Sequence, residues 1–174
     1  MPWLWRFWQR IPNYGEIAIF DRSWYGSVLV ERIEKIVDKA AWQSAYQDIL
    51  EFERTLADDG YVLVKYFLHI SQAEQKKRFT SLEKDPHQKW RVQKEDWKHH
   101  HQYEKYLTAI EEMLARTDTE WGPWTIVEAT DRRWSQVKVL ETAARRMEEG
   151  LQQRGIDLPA APLAADVEPA AGEA

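Results

Sequence analysis

The stretch that most restricts what this chain can fold into is 17–32, IAIFDRSWYGSVLVER. Four apolar residues at 17–20 end abruptly on an acid and a base, Asp21 and Arg22, followed by Ser23, two aromatics and Gly26. A short apolar run bounded in this way predicts a buried strand that delivers Asp21 and Arg22 at its carboxyl end, before a turn into a helix. In open α/β sheets, ligands sit in the crevice outside the carboxyl ends of the strands. A carboxylate there is well placed to hold a Mg²⁺ ion carried by a phosphate substrate.

The remainder alternates in the same style. Trp3, Leu4, Phe7 and Trp8 recur at helical spacing and stop before Pro12. Helical patterns follow at 28–37 and 39–57, the latter with Trp42, Tyr46, Ile49, Leu50 and Phe52 on its apolar side and Gly60 at its stop. Residues 61–70, YVLVKYFLHI, are almost continuously apolar, as in a strand covered on both faces. Ser71 with Glu74 reads as a capping box. A charged helix continues towards Glu83, and one long helix is expected over 94–116. WTIVE at 124–128 reads as a third strand, and a last helix over 137–153, capped by Asp131 or Ser135, has Val139, Leu140, Ala143 and Met147 as its core stripe. The order strand–helix–strand–helix–strand–helix predicts an α/β fold with a parallel sheet and helices on both faces.

Composition sets limits. The 174 residues suit one domain, and a net charge of −5 offers no overall footprint for nucleic acid. The charge is uneven: 76–101 is rich in Lys, Arg and His, while the tail from 157 carries acids only and reads as disordered. A basic patch on an acidic protein fits a small polyanion. With no cysteine, disulfides and thiolate metal sites are excluded. No apolar run reaches membrane-span length, and the apolar, basic start MPWLWRFWQR lacks a cleavage site, so a cytoplasmic location with no membrane partner is the expectation. His99, His100 and His101 point about 100° apart on a helix, so they cannot share one ion. Trp90, Trp97, Trp121, Trp124 and Trp134 are read as packing residues.

The segment 20–26, FDRSWYG, with Val30, Glu31 and Arg32 after it, resembles the Walker B region of the polyphosphate kinase 2 family. LWRFWQRIP at 4–12 resembles the segment preceding that motif, RFTSLEKDPHQKWRVQKEDW at 78–97 the family's lid, and TDTEWGPWTIVEATDRRW at 117–134 its last strand and loop. WKHHHQYEKY and VEATDRRW are closest to the polyphosphate:AMP phosphotransferase branch. The resemblance implies a P-loop kinase sandwich like that of thymidylate kinases, in an incomplete form: a partial domain over 1–156, a lid at about 78–100 and a tail over 157–174. It also implies phosphoryl transfer between inorganic polyphosphate and a nucleoside mono- or diphosphate, with Mg²⁺, in a protein that forms oligomers. Carried over, Asp21 holds Mg²⁺ and Arg22 contacts the transferring phosphate. Glu31 and Arg32 line the site, and Arg78, Lys89 and Arg91 belong to the lid. No G-x-x-x-x-G-K pattern is present, and Ser27 stands where many members carry Arg. The chain is therefore expected to be the C-terminal portion of a catalytic domain. The alternative is a catalytically dead fragment, or a module that binds a polyanion or a partner without catalysis.

Overall fold

A computed structural model describes residues 2–157. The expected tail lies, from 158 on, outside the described residues. The elements are α1 (Trp5–Trp8), a 3₁₀ turn (Trp24–Gly26), α2 (Val30–Ile33), α3 (Lys39–Asp58), β1 (Lys65–His69), α4 (Gln72–Lys84), a second 3₁₀ turn (Lys89–Arg91), α5 (Lys94–His101), α6 (Tyr103–Thr117), β2 (Trp124–Glu128) and α7 (Arg132–Gln153). β1 and β2 pair in parallel, Lys65 opposite Trp124 through to His69 opposite Glu128.

Successive strand residues point to opposite faces, and this assigns the layers. Lys65 reaches Glu53 on α3 and the carbonyl of Thr117 at the end of α6. Its neighbour Tyr66 donates from its hydroxyl to the Val139 carbonyl of α7. Helices therefore cover both faces, and the fold is the expected α/β sandwich in three layers. The core lies on the α3 side, where Tyr46, Ile49, Phe52 and Leu56 pack with Met113 and with Trp24, Tyr25 and Val28. Burying side chains of this size stabilises by about 1.5–3 kcal/mol each. Phe7 of α1 joins them edge-on to Trp24, 5.8 Å between rings.

Local signals account for most element ends. Asp38 accepts from the Ala41 amide to start α3, and Gly60, at φ +90°, supplies the left-handed stop. Asp131 accepts from the amides of Arg133 and Trp134 to start α7. Gly150 lets α7 approach the chain closely, since a Cβ there would lie 2.3 Å from Val62 Cγ2.

Several expectations fail. Residues 17–20 have no regular secondary structure and form no strand among the described residues, and Ile17 and Ile19 are 74% and 93% exposed. Composition gives strand propensity, but a strand also needs a neighbour for its N–H and C=O groups. The run 61–70 is strand only over Lys65–His69, matching the five residues β2 offers. The helix expected at 28–37 shrinks to Val30–Ile33, and Lys35 at φ +57° follows it. The long helix at 94–116 breaks at Gln102 into α5 and α6. Ser71 caps α4 by accepting from the Glu74 amide, but the Glu74 carboxylate turns to Arg78 instead of closing the box. On α7 the expected core residues Leu140 and Met147 are exposed, and the buried positions are Ser135 and Thr142. Trp90 and Trp134 are also exposed. No helix among the described residues is long and apolar enough to cross a membrane.

Candidate active site

The segment 17–20 leads into a tightly constrained turn. Arg22 sits at φ +55°, a left-handed conformation that costs a non-glycine residue about 1–2 kcal/mol. Such strain persists only where the surroundings over-determine it. Here the surroundings are the 3₁₀ turn directly after it. The Trp24 indole N–H and the Tyr25 hydroxyl both donate to Glu53 Oε1, at 2.9 and 2.6 Å. Lys65 Nζ donates to Glu53 Oε2 at 2.8 Å, to the Tyr25 oxygen at 3.1 Å and to the Thr117 carbonyl at 2.7 Å. Glu53 is fully buried and Lys65 nearly so. A buried carboxylate is tolerable only when paired and hydrogen-bonded, and this one has three donors. Burial pushes the Tyr25 hydroxyl far above its ordinary range, with the Glu53 charge adding to the effect. Burial draws Lys65 down, while Glu53 pulls the other way. The network ties the turn to α3, β1 and α6 at once.

Asp21 and Arg22 themselves are exposed. Arg22 lies within electrostatic reach of Tyr106 on α6, whose hydroxyl is raised by burial and by Glu34 and lowered by Arg22. One turn earlier on α6, the Tyr103 hydroxyl donates to the Ile70 carbonyl, just past the carboxyl end of β1. Arg22 is thus on the α6 side of the molecule, near a residue one turn along from the one that reaches the end of β1. Arg78 of α4 is at the carboxyl end of the sheet, where Ser71 and Asp131 cap their helices. It donates to the carbonyls of Ala129 and Thr130, both at 2.8 Å, immediately past β2, and to Glu74 at 2.9 Å. That hydrogen bond holds the Glu74 carboxyl below its ordinary range.

The other expected site residues are placed differently. Glu31 pairs with Arg6 at 3.1 Å. Arg32 pairs with Glu112 of α6 at 2.7 Å and stacks over Trp42 at 4.0 Å. Lys89 and Arg91 are exposed on the second 3₁₀ turn, which packs on α4. Behind them, α4 and α5 form a hairpin closed by Phe79, Trp97 and His100, with ring centroids 5.4 Å apart for both Phe79–Trp97 and Trp97–His100. The three histidines diverge as expected. His100 meets Gln75 at 2.7 Å, His99 faces Glu34 and Tyr106, and His101 contacts the Trp97 carbonyl.

Among the described residues, no three His, Asp or Glu side chains gather into a metal cage. Asp21 is exposed and makes no hydrogen bond or ion pair among them, so its carboxylate is free to share an ion with phosphate oxygens and water, the arrangement Mg²⁺ favours. Sequence reasoning missed Glu53 and Lys65. The available signal was a lysine in the middle of the almost continuously apolar run 61–70, which can be buried only beside a counter-charge.

Residues 1–155 match the model of the polyphosphate kinase 2 family. The chain belongs to this family. It is 44% identical over 148 residues to a polyphosphate:AMP phosphotransferase of Pseudomonas syringae pv. tomato, covering 85% of this chain and 30% of that protein. It is 39% identical to an AMP/ADP-polyphosphate phosphotransferase of Meiothermus ruber, covering 76% of this chain and 49% of that protein. A crystal structure of a polyphosphate kinase 2 from Pseudomonas aeruginosa superposes with a TM-score of 0.85 at 43% identity, covering 87% of this chain and 33% of that one. The chain thus spans half or less of the length of these polyphosphate kinase 2 relatives.

Proposed function

We propose that this chain takes part in phosphoryl transfer between inorganic polyphosphate and a nucleoside mono- or diphosphate, within a catalytic unit that also contains a Gly-rich phosphate loop. The observation that carries this reading is the Asp21–Arg22 turn: exposed, strained and braced by a buried ion pair, on a chain whose Arg78 is held just past the carboxyl end of β2. Phosphoryl transfer asks mainly for positioning and charge neutralisation, and a braced turn that presents one acid and one base meets that need.

On this reading Asp21 holds Mg²⁺, and Arg22 meets the equatorial oxygens of the transferring group. The ion, when bound, neutralises charge on the phosphates. Arg78 fixes the loop after β2 at the wall of the crevice. Glu31 and Arg32 support the same wall through Arg6 and Glu112. Lys89 and Arg91, at the tip of the α4–α5 hairpin, close over the polyanion as a lid and exclude water that would hydrolyse the donor. The names of the relatives support polyphosphate and AMP or ADP as the substrate pair.

The test is conversion of AMP or ADP in the presence of long-chain polyphosphate and Mg²⁺. It is run with the chain alone and with the chain fused behind a P-loop segment taken from one of the relatives. Product from the fusion, reduced at least about 100-fold by Asp21→Asn, is the expected result. No product from the fusion would overturn the proposal. Polyphosphate binding without turnover in that fusion would favour the second reading, a polyanion-binding module, for which the exposed Lys89–Arg91 turn is the supporting observation.

A further inference from the structure

A helix as short as α2 is not stable by itself, and ion pairs tie it to three other elements. Glu31 holds Arg6 of α1, Arg32 holds Glu112 of α6, and Glu34, the C-terminal cap, holds Lys98 of α5. The first two pairs lie within the body of the protein. The third reaches out to the α4–α5 hairpin.

The two legs of that hairpin are seated separately. α4 is fixed to the sheet by Arg78, which donates to the carbonyls of Ala129 and Thr130. α5 turns mainly to α4: Trp97 donates to Glu83, His100 meets Gln75, and the His100 carbonyl accepts from Gln72. Its ion pairs among the described residues all end on Glu34. Lys98 Nζ donates to one carboxylate oxygen of Glu34, and His99 Nε2 lies 3.7 Å from the other, with the His99 ring 5.3 Å from that of Tyr106 on α6. The Glu34 side chain is only 16% exposed, so solvent and salt screen it less than they screen a surface carboxylate. Lys35, directly after it, is left-handed at φ +57°, in a helix-stop position that favours glycine. Such a conformation persists where neighbours fix it.

We infer, on the reading of the α4–α5 hairpin as a lid, that Glu34 is a positioning residue. It seats α5 on α2 and thereby sets where Lys89 and Arg91 stand relative to the Asp21–Arg22 turn, which lies just before α2 in the chain. Glu34 itself touches no substrate. Without its charge the hairpin still forms, because its Phe79–Trp97–His100 closure is internal. Its seat is lost, however, and the tip spends part of its time where it cannot close. A polyanion then binds more weakly in proportion to the time the tip is unseated.

Two measurements on the full chain test this. In amide hydrogen exchange, Glu34→Gln should quicken α5 by about threefold or more and leave α3 unchanged. The charge-swapped double variant, Glu34→Lys with Lys98→Glu, should bring α5 back towards its original rate. In titration with long-chain polyphosphate, followed by the part of the emission lost in Trp90→Phe, Glu34→Gln should raise Kd by about threefold or more and the swap should restore it. In the P-loop fusion the same loss should appear in KM for polyphosphate, with kcat held within about twofold. Unchanged α5 exchange in Glu34→Gln, or no recovery in the swap, overturns the seat. Quicker exchange with unaltered polyphosphate affinity overturns the positioning role. No polyphosphate binding by the unaltered chain overturns the lid reading and the positioning role with it. Binding that follows the variants as expected, in a fusion without turnover, supports the inference while the transfer reaction fails.

Discussion

Within DRSWYG, two neighbouring pairs of residues are treated in opposite ways. Trp24 and Tyr25 are buried and anchored on a carboxylate that also holds Lys65, whereas Asp21 and Arg22 stand in solvent. The buried pair carries folding free energy. The exposed pair carries backbone strain and has little to contribute to stability. A motif of six residues can therefore be constrained along its whole length for two unrelated reasons, with the anchor serving to hold the acid and base in place.

The largest expected effect breaks the anchor. Lys65→Met leaves Glu53 buried without its counter-charge and should cost about 3–5 kcal/mol in urea or thermal unfolding. Adding Glu53→Gln in the same chain should recover part of that loss. A loss below about 1 kcal/mol for Lys65→Met would mean that the pair is not the brace described.

A smaller effect concerns the α4–α5 hairpin. Burial, with His101 and Lys76 nearby, holds His100 below its ordinary value of 6.5. Its folded form then binds fewer protons than its unfolded form just under that pH. The hairpin's stability is therefore complete above pH 6.5 and declines as the pH falls below it. Hydrogen exchange of the α5 amides should quicken on acidification while that of α3 does not, and His100→Gln should flatten the response. Equal quickening in both helices would remove the distinction between hairpin and core.

The smallest expected effect sharpens the comparison from the other side. Asp21→Asn should change stability by no more than about 0.5 kcal/mol, as surface substitutions usually do, despite lying three residues from the anchor. A larger loss in denaturant would show that Asp21 also has a structural partner.

What could be read from sequence follows the same division. α3 and β2 were legible because their signals are local, apolar periodicity and a β-branched run within each segment; α7 was legible apart from its start, expected at 137 with the cap open between Asp131 and Ser135 and found at Arg132 behind Asp131. The sandwich class followed from their order. Residues 17–20 misled because strand propensity says nothing about a pairing partner. The break at Gln102 was invisible because the apolar spacing runs straight through it. On α7, Leu140 and Met147 keep a helical stripe that finds no cover among the described residues. At the site, the acid and base were found from the motif, but the Glu53–Lys65 brace was not. It joins residues on different elements, and only the lysine inside an apolar strand hinted at it.

The exposed Trp90 has a use of its own. Its ring is 73% exposed and its indole N–H is held by the His87 carbonyl, between Lys89 and Arg91 at the tip of the hairpin. An indole in water emits further to the red than one in a core, and since Trp5, Trp8 and Trp134 are exposed as well, the tip's own signal is the part of that emission lost in Trp90→Phe. Whatever settles on those two cations must alter the colour or quenching of that light, and the movement of the tip can be timed without attaching a dye.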